Sequence, residues 1–145
     1  MAITDSRRLN MVIPYLYPNL KNTYGKPGAE GDYYLRDDSD GTGSYVVWLN
    51  KSIPEPTAQA IADAKEAGVN AYWFEYLREI RTGLLAESDW SQGADVPSGL
   101  KSSYATYRQE LRDLPATVTK PAFSVLNTQT INEWNLESLM PTKPS

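Results

Sequence analysis

A chain of 145 residues, 41% of them hydrophobic and with a formal net charge of −4, has room for a small core and carries no basic field to draw it to nucleic acid or an anionic membrane. It contains no cysteine and no histidine. That excludes a disulfide framework, a thiolate nucleophile and the imidazole that most often serves as general base or zinc ligand, so neither metal nor cofactor is expected.

Residues 1–31 mix tyrosine, proline and glycine without a steady period. Met11, Val12 and Ile13 lead into Pro14, Tyr15, Leu16, Tyr17 and Pro18, and each proline biases its predecessor away from the helix. The expectation is an extended arm, either a loosely packed terminus or, as the density of aromatic residues favours, a segment whose side chains, Tyr15 and Tyr17 among them, lie on a partner. Arg7 and Arg8 precede an apolar run that Pro14 and Pro18 interrupt, so neither a secretory signal nor a membrane span is expected, and the expected compartment is the cytoplasm. Gly25, Gly28 and Gly31 recur every third residue, but two triplets make a loop, not a collagen helix.

Residues 32–53 carry the strand signal. Tyr33 to Arg36 and Ser44 to Leu49 are rich in strand formers, and the acidic, glycine-bearing stretch between them is turn chemistry, which predicts one β-hairpin. A calcium loop would need a carboxylate where Val47 or Leu49 stands, so the turn reading is preferred.

Residues 54–115 read as helical. Thr57 can cap a first, alanine-rich helix running to about Ala67, with Gly68 as a stop or kink. A second helix, about Asn70 to Ser88, places Trp73, Leu77, Ile80 and Leu84 on one stripe, which is read as core. Pro97 and Ser98 open a third, whose Leu100, Tyr104, Tyr107, Leu111 and Leu114 recur at spacings of four and three. On that helix Arg108, Gln109, Glu110 and Arg112 are assigned to the exposed side, and Pro115 to its end. The second and third helices, joined by a short loop, are expected to pack as a hairpin. Trp90, in that loop, lies outside both stripes; it either folds over the joint between the helices or anchors a partner. Residues 116–145 lose all period, while Phe123, Trp134 and other scattered apolar residues make an extended tail that wraps on a partner or on the chain's own body.

The fold class expected is therefore α+β: a β-hairpin or small sheet followed by an α-helical hairpin, with an extended N-terminal arm and C-terminal tail. Enzymatic signatures are weak. Ser98 and Lys101 match S-x-x-K, but none of the companion motifs of the penicillin-recognising enzymes accompanies them, and a helix cap is the simpler account. Asn50, Lys51 and Ser52 fit a glycosylation sequon, which a cytoplasmic chain would not use. The acidic pairs Glu75 with Glu79 and Asp89 with Asp95 read as solvated surface charge. No catalytic residue is assigned.

One stretch carries more specific information. Leu84 and Leu85 are followed by Ser88, Asp89, Trp90, Ser91 and Gln92, then Asp95 and Pro97, then Tyr107, Arg108, Leu111, Arg112, Asp113, Leu114 and Pro115. Over residues 78–116 this pattern resembles the phage tail assembly chaperone-like domain, in which a leucine pair and an S-D-W-[ST]-Q element precede Y-R-x-x-L-R-[DN]-[LI]-P. The resemblance implies a non-enzymatic phage protein that binds tail-fibre or baseplate subunits in the host cytoplasm, alone or within homo- or hetero-oligomers, with no nucleic acid or membrane partner. The alternative it leaves open is a permanent component of the virion tail fibre or baseplate. On this reading Trp90, Tyr15, Tyr17, Phe123 and Trp134 are the candidate partner contacts. Trp73, Leu77, Ile80, Leu84, Leu100, Tyr104, Tyr107 and Leu111 form the structural core.

Overall fold

A computed structural model of the chain describes residues 8–145; the first seven residues of the expected arm lie outside the described residues. The fold is α+β, with one two-stranded antiparallel sheet followed by long helices. In chain order these are α1 (Leu9–Leu16), β1 (Tyr33–Arg36), β2 (Tyr45–Trp48), α2 (Ala58–Glu87), α3 (Ser98–Thr117) and α4 (Phe123–Leu126), with 3-10 turns at Asp89–Gln92, Asn132–Trp134 and Leu136–Leu139. The chain divides into two compact units. One comprises residues up to Tyr72 together with Phe123–Gln129, and the other Trp73–Ala122 with Thr130–Ser145.

In the first unit the expected extended arm is corrected, because its centre is the helix α1 with Pro14 inside it. Proline at that position gives up only the bond to the carbonyl of Asn10, an exposed residue that water can serve. Leu9, Met11, Val12 and Ile13 are all buried, and that gain outweighs one lost hydrogen bond. The helix ends where the Tyr17 amide donates to the Ile13 carbonyl at 2.9 Å.

The hairpin pairs Tyr33 with Trp48, Tyr34 with Val47, Leu35 with Val46 and Arg36 with Tyr45. Its turn is built from short side-chain bonds: the Ser39 amide donates to Asp37, and the Thr42 amide and hydroxyl both donate to Asp40. Gly41 and Gly43 take positive φ there, 86° and 87°. Residues 21–23 run along the outer edge of β1, where the Thr23 amide donates to the Tyr33 carbonyl and the Tyr33 amide to the Lys21 carbonyl. Beneath this sheet Ile13, Tyr33 and Trp48 form the core, with Tyr17, Leu20, Ile53 and Ile61 packed against it. The Trp48 ring stacks on Tyr33 at 6.1 Å and meets Tyr17 at 5.3 Å, and its indole N–H donates to the Ile53 carbonyl.

The two helices expected on either side of Gly68 are one helix of 30 residues, α2, and this too corrects the sequence reading. Thr57 does cap it, accepting a hydrogen bond from the Ala60 amide at 3.0 Å. Gly68 does not stop the helix; it lets α1 approach. A Cβ there would stand 3.1 Å from the Val12 Cα and 3.4 Å from the Met11 carbonyl oxygen. Thr57→Ala is expected to lower stability by about 1 kcal/mol, read from the urea unfolding midpoint, because the first turn then loses its acceptor.

Arg8 completes this unit. It is 1% exposed, and its guanidinium donates to the carbonyls of Leu126 (2.7 Å) and Gln129 (2.6 Å). Burial pushes its pKa below the usual arginine value. The expected extended tail is thus interrupted at residues 123–129 by the helical turn α4, whose Leu126 is fully buried.

Candidate interaction site

The second unit holds the motif-bearing stretch. Trp73 and Leu77 from α2 are buried, whereas Ile80 and Leu84 are half-buried. Leu84 and Leu85 pack with Leu100 and Met140 around a cluster of Tyr104, Tyr107 and Leu111. Tyr104 and Tyr107 meet edge-on at 6.0 Å.

At the end of α2 the carbonyls left without helical partners are taken up by side chains. The Ser88 hydroxyl donates to Leu84 and Leu85, at 2.9 and 3.0 Å. Arg108 reaches from α3, and its guanidinium donates to the Leu85 carbonyl (2.6 Å), the Ser88 hydroxyl (2.7 Å) and the Asp89 carboxylate (2.8 Å). A cation at a helix C-terminus also meets the negative end of the macrodipole. The Ser91 hydroxyl, fully buried, donates to the Ser88 carbonyl at 2.6 Å. The Gln92 amide donates to Ser91 Oγ and, more weakly at 3.4 Å, to the Lys101 carbonyl on α3.

Arg108 corrects an expectation: assigned to the exposed side, it is buried and joins the middle of α3 to the end of α2. Its spacing held the signal, since Tyr104, Arg108 and Leu111 fall at i, i+4 and i+7. Two capping expectations also change. Pro97 occupies the N-cap of α3 and the Ser98 hydroxyl makes no cap bond, while α3 runs through Pro115 to Thr117. In the last turn a proline costs one hydrogen bond, and the Val118 amide still reaches the Leu114 carbonyl.

Of the residues read as partner contacts, Trp90 is 54% exposed and Tyr15 48%. Trp90 lies edge-on against Tyr104 at 5.1 Å, leaving much of its ring in solvent. Tyr17 and Phe123 are half-buried in the first unit, and Trp134 is 7% exposed. These three are packed within their own units. In the second unit the tail is drawn in through Trp134, Leu136 and Met140 and is not uniformly extended. Asn135 takes a left-handed conformation between its two 3-10 turns.

Among the described residues no group of three or more acidic side chains could hold a metal ion, and no helix is long and apolar enough to cross a membrane. No curated protein and no solved structure matches the chain. Residues 74–134, from α2 to the buried Trp134, match the family model described as phage tail assembly chaperone protein.

Proposed function

We propose that this protein acts in phage tail assembly by binding tail-fibre or baseplate subunits, without chemistry, through the face of the second unit that Trp90 presents. One observation carries the reading. In the run from Ser88 to Gln92, Ser88, Asp89 and Gln92 bond to α3 and Ser91 bonds back to Ser88, while Trp90 is the exposed apolar side chain. An aromatic ring seated edge-on against a neighbour and about half exposed gives large contact area at little cost in side-chain entropy. Fibre subunits expose apolar surface before they assemble, and a small acidic binder can mask it.

Trp90→Ala is expected to cost about 1 kcal/mol or less of stability, since one edge contact is lost, while weakening partner binding roughly tenfold to a hundredfold. Co-expression with the neighbouring tail genes and quantitative co-purification reads the second number, and thermal unfolding the first. Undiminished co-purification would remove Trp90 from the interface. Release after assembly predicts that the protein is missing from purified particles. A stoichiometric band there would instead establish a retained tail component.

A further inference from the structure

The first unit carries a feature that the helical site does not use: one edge of its sheet is unpaired among the described residues. The Leu49 amide donates to the Asp32 carbonyl, so in this register Tyr45 and Val47 face β1 with their backbone groups, and Ser44, Val46 and Trp48 turn theirs outward. The outer edge of β1 is occupied by residues 21–23, but no described residue pairs with Val46 on the outer edge of β2. Beside that edge runs an open groove of ≈ 330 Å³, floored by Leu9, Val46, Pro56, Ala58 and Ile61.

The charged residue that lines the groove is acidic. Glu55 lines it, and Tyr45 links it to the hairpin turn by donating from its hydroxyl to Asp38 at 2.9 Å. Arg36 is paired with Asp38, while Asp37, Asp40 and Glu55 have no cationic partner among the described residues.

We propose that the edge of β2 is a docking site for an extended polypeptide segment of a partner. The segment adds as a strand against Val46, sets alternate apolar side chains into the groove and carries lysine or arginine at its flanks. Backbone pairing supplies the register, the apolar floor takes every second side chain, and Glu55 with the acidic turn selects the charge. The site lies outside the segment 74–134 and does not depend on the role proposed for Trp90.

The test uses the full chain and two synthetic probes, acetyl-Lys-Thr-Val-Thr-Val-Thr-Lys-amide and its counterpart with glutamate in place of both lysines. Amide hydrogen exchange at Val46 is expected to slow at least tenfold with the lysine peptide and to change little with the glutamate peptide. Val46→Pro deletes the outward N–H and is expected to abolish peptide binding, with slow amide exchange at Val47, whose N–H faces β1, reporting that the sheet persists. Glu55→Lys leaves the backbone untouched and is expected to weaken the lysine peptide about tenfold, so it carries the test if the proline variant does not fold. Equal slowing with both peptides, or none with either, overturns the proposal. So does slowing at Val46 that depends on protein concentration without peptide, which would assign the edge to a second copy of this chain.

Discussion

Arg108→Ala is expected to lower the stability of the second unit by about 3 kcal/mol, more than a truncation of an ordinary surface arginine, because hydrogen bonds from a charged donor contribute about 1.5–3 kcal/mol each. The guanidinium serves three acceptors at once: the Leu85 carbonyl, Ser88 Oγ and Asp89. Without it the Leu85 carbonyl keeps only its bonds to Ser88, and the end of α2 loses its bridge to α3. Asp89 contributes little to this sum, since its side chain is 68% exposed and a solvated ion pair adds about 0–1 kcal/mol. Asp89→Ala is accordingly expected to be mild. Arg108→Lys is not expected to rescue, because one ammonium cannot reproduce a planar fork aimed at separate acceptors. Urea titration of the three variants separates these cases by their midpoints, provided the slope is unchanged.

Arg8→Ala is the second large effect, also about 3 kcal/mol, and it falls on the first unit. The two carbonyls that Arg8 serves, on Leu126 and Gln129, belong to a short segment with little regular structure of its own. The variant is expected to release that segment first, so amide exchange across residues 126–129 should rise before global unfolding does. Unchanged exchange there, with an unchanged melting temperature, would show that Leu126 burial alone holds the segment. The arginine tolerates burial because its charge is shared among carbonyl oxygens, although desolvation still lowers its pKa.

Both arginines mark the boundary of what the sequence made legible. The hairpin was readable because strand formers flank an acidic turn, and its pairing from Tyr33 to Trp48 follows that reading. The stripe of α3 was readable because Tyr104, Tyr107 and Leu111 are apolar at helical spacing, and all three are buried. Arg108 shares that face, but its charge placed it on the wrong side; only the facing carbonyls of α2, which no local pattern reveals, make its burial tolerable. Arg8 was missed for the same reason at greater range, since its acceptors lie 118 and 121 residues away. Proline and glycine misled in a complementary way. Pro14 and Gly68 were weighed by their local preferences, whereas tertiary packing of α1 against residue 68 decided both. The motif around Trp90 was legible as a family signature, but its division into bonded residues and one exposed ring required the bond geometry.

The segment that Arg8 holds has a consequence for how the molecule is made. The first unit is discontinuous: its last piece, Phe123–Gln129, follows α3 in the chain. During synthesis the hairpin and α1 therefore emerge well before the strand of chain that completes their unit, and at roughly 5–20 residues per second the gap lasts several seconds. Over that interval the Leu126 side chain and the acceptors for Arg8 do not yet exist outside the ribosome. Completion of the early half waits for the late one, so a ribosome stalled before residue 123 would display an unfinished first unit, sensitive to protease in a way that the released chain is not.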